Sequence, residues 1–112
     1  MTNNDCIFCK IATKEIPVPL VFENEDIVAF NDINPQAPRH ILVIPKKHYE
    51  SLNEVNDKNV LGNLLFAVKE ITEKEGIKEY RTVINTGKEA GQAVFHIHLH
   101  ILSGRELLWP PG

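Results

Sequence analysis

The sequence lacks a long apolar run, a leader-like start and any block of like charge. No stretch approaches the roughly 20 apolar residues that a membrane helix needs, so no transmembrane segment is predicted. Residues 1–5 do not show the basic and apolar regions of a secretory signal peptide. We therefore expect a soluble, cytoplasmic protein with no membrane partner.

Net charge is also low, at only −3, and the charged residues are scattered along the chain. This distribution excludes the basic field with which proteins bind nucleic acid or an acidic membrane surface. A small ligand is the partner that suits such a surface. Because the 112 residues contain no repeat, low-complexity tract or linker, we expect a single domain spanning 1–112 around one core.

Cysteine is scarce, and the two that occur, Cys6 and Cys9, stand three positions apart. A reducing cytosol does not usually maintain a structural disulfide, which leaves metal binding, redox chemistry or simple packing for this pair. The spacing suits a metal ion. Two sulfur ligands do not complete a tetrahedral site, however, so two further ligands would have to come from elsewhere in the chain.

Hydrophobic spacing predicts two helices. Residues 6–13 fit a short helical turn, whose inward side chains are expected to be Ile7, Phe8 and Ile11. Apolar residues recur at helical spacing over 60–71, between a cap at Asn56 or Asp57 and a stop at Gly76. The second segment is the one long helix of the chain.

Short β-rich runs predict about five strands. A hairpin is expected over 20–30 around a polar turn, a central strand over 40–45 and further strands over 80–86 and 96–102. With neighbouring strands joined locally, this pattern indicates an α+β domain built on an antiparallel meander.

Three of the five histidines fall within five residues, as His96, His98 and His100. A strand turns alternate side chains to opposite faces, so these imidazoles are expected to share one face. They could form a three-histidine zinc site, attack phosphorus with acid-base helpers, or line a polar face. The loop ahead of them holds Gly87 and Gly91, where backbone amides can approach an anion, and this favours phosphate.

The alternation of histidine with aliphatic residues over 96–102 resembles the signature of the histidine triad family. Further matching segments are Ile7-Phe8-Cys9-Lys10-Ile11, Glu15-Ile16-Pro17, Ala29-Phe30, Asp32-Ile33, Pro35-Gln36-Ala37-Pro38, His40, Ile44-Pro45-Lys46, Gly91-Gln92 and Gly104-Arg105. The closing Trp109-Pro110-Pro111-Gly112 is similar to the tail of the Hint branch. The resemblance covers nearly the whole chain and implies the HIT-like fold.

This resemblance implies an enzyme that hydrolyses purine nucleoside 5'-phosphoramidates, such as adenosine 5'-monophosphoramidate, and releases AMP or GMP. His98 matches the nucleophile, which would form a nucleotidyl-histidine intermediate while its other nitrogen donates to the backbone carbonyl of His96. His100 would contact the phosphate. His40, from another strand, would stabilise the charge that develops on the nucleophile.

The resemblance also implies a nucleotide-binding set. Asn85 and the Gly91 backbone would hold the α-phosphate, and Asp32 would accept hydrogen bonds from the ribose. The residues that would line the purine slot are Ile7, Phe8, Ile16, Phe30 and Ile33, for which ordinary core packing is the alternative. Gln92, Ala93 and Trp109 complete the set. Ala93 departs from the Gly-Gln-Ser pattern of mammalian-type members and so removes a hydroxyl group.

A structural zinc ion is implied by resemblance to bacterial-type relatives and to uridylyltransferases. Their cysteine pair is completed by two histidines, which match His48 and His96, so that the ligand set would be Cys6, Cys9, His48 and His96. Four protein ligands close such a site and make it structural rather than catalytic. Simple packing of the two thiols is the alternative.

Three other functions compete with the phosphoramidase. They are a dinucleoside polyphosphate hydrolase of the Fhit type, a nucleotide-sensing scaffold with vestigial catalysis, and a zinc hydrolase that uses the three clustered histidines as ligands. The Trp109 tail argues against the Fhit type, because it resembles a segment that reaches toward the partner subunit in Hint homodimers. His100 disfavours a uridylyltransferase, which has glutamine at that position.

Overall fold

A computed structural model of the protein describes residues 5–112, which form one antiparallel sheet with a helix on each face. Residues 1–4 of the expected domain 1–112 lie outside the described residues. In chain order the elements are α1 (Ile7–Ala12), β1 (Leu20–Glu23), β2 (Ile27–Asn31), β3 (Arg39–Pro45), a 3-10 turn (Leu52–Glu54), α2 (Lys58–Glu75), β4 (Arg81–Val83) and β5 (Leu99–Ser103).

The strands lie in the order β1-β2-β3-β5-β4, and every neighbouring pair is antiparallel. The predicted five-stranded α+β fold is confirmed, although β5 lies between β3 and β4, so the sheet is not a simple meander. Leu99 and Ile101 of β5 have no exposed surface, which a strand between two neighbours can achieve. The shorter, partly exposed β4 takes the edge.

Asn24 closes the hairpin between β1 and β2. Its side-chain oxygen accepts hydrogen bonds from the N–H groups of Asp26 and Ile27, at 2.8 and 2.9 Å. This side-chain turn holds the chain where it reverses. The predicted hairpin over 20–30 is confirmed.

Helix α2 is defined by its two ends. At the start the carboxylate of Asp57, rather than Asn56, caps the helix and accepts a hydrogen bond from the N–H of Asn59 at 2.9 Å. At the other end Gly76 adopts a left-handed φ of 71°, as the predicted stop requires. Leu65 shares the apolar spacing of the helix but is 55% exposed.

The sheet separates two apolar clusters. The cluster between the sheet and α2 contains Ile27, Ala29, Ile41, Val43, Leu64, Ala67, Val68, Ile71, Ile97, Leu99 and Ile101. The cluster on the opposite face, with α1, contains Cys6, Phe8, Cys9, Ile11, Ala12, Val28, Phe30, Leu42 and Ile44. Within the described residues, no helix has both the length and the apolarity to cross a bilayer.

Two strand predictions were too long. The strand predicted over 96–102 begins at Leu99, because the N–H of Ile97 donates to the carbonyl of Tyr49 at 2.7 Å and not to a neighbouring strand. The strand predicted over 80–86 contains only Arg81–Val83. Hydrophobic alternation thus extends beyond the paired strand, before the start of β5 and after the end of β4.

The inward prediction for α1 was wrong at one residue. Phe8 and Ile11 are buried as expected, but Ile7 is 49% exposed. The helix has only six residues and is capped by Cys6, whose sulfur accepts a hydrogen bond from the N–H of Cys9 at 3.4 Å. This cap turns Phe8 and Cys9 toward the sheet and leaves Ile7 outside.

Candidate functional site

The histidines lie on the sheet face that α1 covers. Ile97, Leu99 and Ile101 all enter the cluster beneath α2, so the alternating positions point to the other face. On that face the rings of His98 and His100 lie 4.9 Å apart between centroids. The predicted separation of imidazoles from aliphatic side chains is therefore present, although only part of the segment is a paired strand.

The proton of His98 is placed by the backbone. Its Nδ1 lies 2.9 Å from the carbonyl oxygen of His96, and a carbonyl can only accept, so Nδ1 donates and Nε2 keeps its lone pair. Burial lowers the pKa of His98, against the opposing effects of that hydrogen bond and of the Asp32 charge. The ring is thus neutral near pH 7, and its free nitrogen is able to attack an electrophile.

Phe8 fixes the other side of the His98 ring. The two rings meet edge to face, with centroids 5.1 Å apart, and Phe8 makes the same kind of contact with Phe30 at 5.6 Å. Phe8 and Phe30 are each only 6% exposed. In this structure they pack in the core beside the His98 ring and do not form an open slot.

His40 and His100 form a hydrogen-bonded pair. The backbone N–H of Gln36 donates to His40 Nδ1 at 3.0 Å, so the proton of neutral His40 is on Nε2. That Nε2 lies 2.8 Å from His100 Nδ1, which must therefore accept. It follows that the proton of His100 is on Nε2, on the far side of its ring.

His100 Nε2 is buried and has no hydrogen-bond partner in the described structure. Burial, and then the proximity of His98 and His40, lowers the pKa of His100 to about 4, so the ring is neutral near pH 7. A buried N–H without an acceptor is costly, and because the described residues supply none, His100 Nε2 is free to donate to a group that binds in the site. The site therefore offers a lone pair on His98 Nε2 and, on the neighbouring ring, an unpaired N–H at His100 Nε2.

Asp32 brings a negative charge to this group. One of its oxygens lies 3.5 Å from His40 Nε2, and the other accepts a hydrogen bond from the N–H of Asn34 at 2.9 Å. The carboxylate raises the pKa of His40, although burial dominates and the net pKa of His40 is lowered. The geometry suits stabilisation of positive charge that appears on an imidazole during a reaction.

A second cluster brings together Cys6, Cys9, His48 and His96, whose ligand atoms all lie within 4.8 Å of one another. The sulfur-to-Nδ1 distances are 3.3 Å for Cys6 to His96, 3.3 Å for Cys9 to His48 and 3.5 Å for Cys9 to His96. The two Nδ1 atoms lie 3.2 Å apart. Tetrahedral zinc with ordinary bond lengths separates sulfur from nitrogen by about 3.6 Å and nitrogen from nitrogen by about 3.3 Å.

The tautomer of His96 also suits a metal. Its Nε2 donates to the carbonyl of Pro45 at 2.8 Å, which leaves a lone pair on Nδ1, the atom that faces the two sulfurs. Burial lowers the pKa of His96 to about 4, so the lone pair is available at neutral pH. Burial raises the pKa of the Cys6 thiol, so binding of a metal there would release a proton. These residues fit the predicted zinc site.

Asp32, His40 and His100 are close enough to suggest a second metal site, but their protons argue against one. His40 Nε2 carries a proton that it gives to His100, because Gln36 occupies its other nitrogen. A metal ligand would need a lone pair on that atom. The group is better suited to hydrogen bonding than to metal binding, and the idea of a three-histidine zinc hydrolase also fails, because His96 turns away to the cysteines.

Gln92 organises the glycine loop from within. Its side-chain oxygen accepts from the N–H of Gly87 at 2.8 Å, and its amide nitrogen donates to the carbonyls of Glu50 and Val94 at 2.7 and 3.1 Å. The side chain is 3% exposed and both its hydrogens are used. The structure therefore places this predicted nucleotide-binding side chain in support of the loop.

Asn85 and Gly91, the two predicted phosphate-binding groups, are neighbours. Gly91 has a φ of 100°, which favours glycine, and a methyl group built on it would stand 3.6 Å from the Asn85 amide nitrogen. Ala93, which follows in the same loop, is exposed. No hydroxyl group is supplied at that position.

The remaining predicted binding residues differ in exposure. Ile33 is 98% exposed, Trp109 is 82% exposed and Ile16 is partly buried. Large apolar side chains this open are available to a ligand or a partner chain, so Ile33 and Trp109 are not core residues. For Phe8 and Phe30, in contrast, the core alternative describes the structure better.

Sequence reasoning did not assign a role to several backbone groups that define the site. The carbonyl of Pro45 and the amide of Gln36 fix two tautomers, yet neither depends on side-chain identity. Arg105 belongs to a matching motif to which the resemblance gives no role, and in the structure it donates to the carbonyl of Gln36. No pattern in the sequence reports where a backbone amide or carbonyl points.

Comparison with known proteins identifies the family. The HIT domain family matches residues 13–107. The 14 kDa zinc-binding protein of Zea mays is 45% identical over 117 residues, which cover 100% of this chain and 91% of that protein. Protein HitA of Neisseria gonorrhoeae is 48% identical over 102 residues, which cover 88% of this chain and 95% of that protein.

A solved structure agrees with these relatives. The HIT family hydrolase from Legionella pneumophila superposes with a TM-score of 0.92 at 52% identity, covering 96% of this chain and all (100%) of that chain. The family match over residues 13–107, the two relatives and the superposed structure all agree. The chain therefore belongs to the HIT domain family.

Proposed function

We propose that this protein hydrolyses purine nucleoside 5'-phosphoramidates through a nucleotide covalently bound to His98. The observation that carries the proposal is the pairing of two neutral imidazoles with opposite proton placement. His98 presents a lone pair, and His100 presents a buried N–H without an acceptor. A phosphate ester or amide supplies both missing partners, since its phosphorus accepts the lone pair and its oxygen accepts the N–H.

In the first step Nε2 of His98 forms a bond to the α-phosphorus and the bond from phosphorus to the amine nitrogen breaks. Because Nδ1 keeps its proton, the ring becomes positively charged, and the His96 carbonyl and the Asp32 carboxylate stabilise that charge. A neutral His100 that gave up its proton would become an imidazolate. The leaving amine therefore takes its proton from solvent, and His100 acts by donating a hydrogen bond to a phosphoryl oxygen.

In the second step water attacks the same phosphorus and the bond to His98 breaks. The imidazole leaves as the neutral ring, with its proton still on Nδ1, and one proton of the water is released to solvent. Two displacements with a good leaving group replace one difficult displacement. The products are an amine and a purine nucleoside monophosphate.

Nucleotide binding is proposed to use the open side of the site. Asp32 is placed to accept from the ribose hydroxyls, and Asn85 with the Gly91 backbone to hold the phosphate. Ile33 and Ile7, which are 98% and 49% exposed, would be covered by the base. The loss of exposed apolar surface would contribute to binding.

The test compares wild-type protein with the His98→Ala variant, using adenosine 5'-phosphoramidate as substrate. The variant is expected to lose at least about a thousandfold in kcat, because no other side chain in the site offers a free nitrogen in the same place. Acid-quenched wild-type protein should carry an adenylyl group on His98 by mass spectrometry, and the variant should not. Normal turnover by the variant would contradict the proposal.

Two controls separate this activity from the alternatives. Diadenosine triphosphate as a second substrate distinguishes a Fhit-type hydrolase, which would prefer it over the phosphoramidate. AMP binding by His98→Ala checks that the pocket is intact, so that a loss of turnover reports on chemistry. Binding of AMP by the wild-type protein without any turnover would favour the nucleotide-sensing scaffold.

We propose that Cys6, Cys9, His48 and His96 bind one structural zinc ion. The proposal is supported by the distances among their ligand atoms, by the His96 tautomer and by the name of the Zea mays relative. Zinc would hold the turn before α1 against the segment that precedes β5. Because all four ligand positions are filled by protein, the ion takes no direct part in the reaction.

We propose a homodimer formed by the face that α2 and β4 share. Leu65, Phe66 and Tyr80 are 55%, 59% and 38% exposed, and with Thr82 of β4 they line one open groove of about 390 Å³. An exposed apolar groove beside an edge strand is a surface that a second copy can cover. The resemblance of the Trp109 tail to that of Hint dimers also favours a homodimer.

Size-exclusion chromatography with light scattering tests the dimer. Phe66→Glu should convert it to a monomer, because a charge would be buried in the interface. Phe95→Glu is the matched control, since Phe95 is also exposed, at 48%, but does not line the groove. A Phe66→Glu protein that remains dimeric would place the interface elsewhere.

A further inference from the structure

The loop between β2 and β3 determines how the imidazole pair is protonated. It supplies the backbone N–H of Gln36 to His40 Nδ1, at 3.0 Å. His40 is 5% exposed, and no other hydrogen bond to its Nδ1 is found among the described residues. If this donor moved away, the proton of His40 could shift from Nε2 to Nδ1.

Arg105, which follows the C-terminal end of β5, also contacts Gln36. Its Nε and one terminal nitrogen donate to the carbonyl oxygen of Gln36 at 3.3 and 3.1 Å, and the other terminal nitrogen donates to Glu106 at 3.0 Å. The carbonyl and the N–H belong to the two peptide groups that flank Gln36. Fixing the first therefore restricts the direction of the second.

Gly104 strengthens this contact by close packing. Its φ is 96°, and a methyl group built on it would lie 2.8 Å from the Cβ of Pro38. The absence of a side chain lets the chain after β5 approach the loop, which brings Arg105 within reach of Gln36. Ala37, between Gln36 and Pro38, is buried, at 8% exposure.

We propose that Arg105 is a positioning residue that sets the tautomer of His40, and through it that of His100. The hydrogen-bond path runs from the Arg105 guanidinium to the Gln36 peptide groups, then from His40 Nε2 to His100 Nδ1. It ends at His100 Nε2, which has no hydrogen-bond partner among the described residues. Arg105 itself touches no reacting atom.

The tautomer of His40 matters because it decides whether His100 Nε2 donates a hydrogen bond to a phosphate oxygen or presents a lone pair to it. With the proton on His40 Nε2, the far nitrogen of His100 is a donor and suits a phosphate oxygen. With the proton on His40 Nδ1, His40 Nε2 would become an acceptor and His100 would have to donate to it from Nδ1. The lone pair of His100 would then be on Nε2, the nitrogen that faces the phosphate. The second arrangement repels an anion, so loss of the Arg105 contact weakens phosphate binding. This consequence rests on the proposed function.

The test reads the tautomer directly. Protein labelled with ¹⁵N-histidine is examined without nucleotide by long-range ¹H–¹⁵N correlation, which distinguishes a protonated ring nitrogen from one with a lone pair. In the wild type, His40 Nδ1 should show the lone-pair signal and Nε2 the protonated one. In Arg105→Ala the two signals should move toward each other as both tautomers become populated, and Arg105→Lys should give a smaller change.

Arg81→Ala is the matched control, because Arg81 also donates from its guanidinium to backbone carbonyls, those of Leu107 and Leu108, at 3.1 and 3.0 Å. The His40 signals should not change in that variant. The affinity for AMP, measured by calorimetry, should fall in Arg105→Ala by the inverse of the fraction of molecules that keep the proton on His40 Nε2, which is about twofold when the two tautomers are equally populated.

Unchanged His40 signals in Arg105→Ala would overturn the proposal, whatever happened to AMP affinity. Gln36→Pro provides a second variant, since proline removes the N–H itself, and it too should move the His40 signals. Unchanged signals there would show that the Gln36 amide does not set the tautomer. The spectra are recorded without substrate, so this outcome is independent of whether His98 is the nucleophile.

Discussion

His96 and His98 stand two residues apart and hold their protons on opposite nitrogens. His96 donates from Nε2 to Pro45 and keeps a lone pair on Nδ1, whereas His98 donates from Nδ1 to His96 and keeps a lone pair on Nε2. Each backbone carbonyl therefore selects the atom that is left to react or to bind. Residue type alone does not tell which nitrogen of a histidine keeps its lone pair, and the accepting carbonyl does.

Two replacements of His100 test whether its Nε2–H donates to the phosphate. Asn places a polar atom near the position of Nδ1 and keeps a partner for His40, but it offers no donor at the position of Nε2. Gln reaches the position of Nε2 with an N–H. We expect AMP affinity to fall roughly tenfold in His100→Asn and less in His100→Gln, because only the second can donate to the phosphate. Calorimetry measures both, and equal losses would argue against the assigned tautomer.

Gly104 is required by both space and backbone conformation. In Gly104→Ala the new methyl group would meet Pro38 at 2.8 Å with φ at 96°, so we expect the free energy of unfolding to fall by about 2 kcal/mol. Gly62→Ala, made in the monomeric Phe66→Glu background because Gly62 lines the proposed dimer groove, is the control, since within the chain its added methyl group has nothing within 4 Å. That variant should gain about 0.5–1 kcal/mol from helix propensity. Urea denaturation measures both values.

At the scale of elements, the sequence predicted the regular parts well and the ends of strands poorly. The long helix was bounded correctly by its cap and by Gly76, since both signals act locally. Strand ends depend on distant partners, and the run over 96–102 joins the sheet only at Leu99, because the N–H of Ile97 bonds to the carbonyl of Tyr49. Side-chain periodicity records which face is buried, but it does not record which backbone groups are paired.

The cap of α2 gives a prediction at this scale. Asp57→Ala should lower the free energy of unfolding by about 1 kcal/mol, because the N–H of Asn59 would lose its acceptor at 2.9 Å. Asn56→Ala is the control, since Asp57 and not Asn56 is the cap. It should change stability by less than about 0.5 kcal/mol. Equal losses in urea denaturation would show that the cap is not Asp57.

At the scale of the whole molecule, the proposed zinc site ties the N-terminal segment to the sheet. Removing zinc with a chelator should lower Tm by more than about 10 °C, because the metal binds the folded chain and not the unfolded one. Zinc affinity should fall as pH decreases, since the Cys6 thiol, with its raised pKa, must lose a proton to bind. Atomic absorption should find one zinc per chain, and Cys9→Ser should lose it.

A neutral, buried imidazole also makes stability depend on pH. The pKa of His100 is lowered to about 4 from an ordinary 6.5, so between these values the unfolded chain binds a proton that the folded chain does not. Stability should therefore fall as pH decreases from about 6.5 to about 4. In His100→Asn the fall should be shallower. Urea denaturation in the presence of excess zinc measures both slopes, and identical slopes would contradict the shifted pKa.

The sequence by itself determined the α+β class, the separation of imidazoles from the aliphatic core and the residues that could bind metal or phosphate. These features follow from periodicity and side-chain chemistry, which are written residue by residue. The sequence resemblance also grouped His96 with the cysteines; only the tertiary structure decided which nitrogen of His96 and of His98 keeps its lone pair, and that Phe8 and Phe30 are core. Those outcomes depend on backbone carbonyls and amides brought together from distant segments, and such groups are the same in every residue except proline.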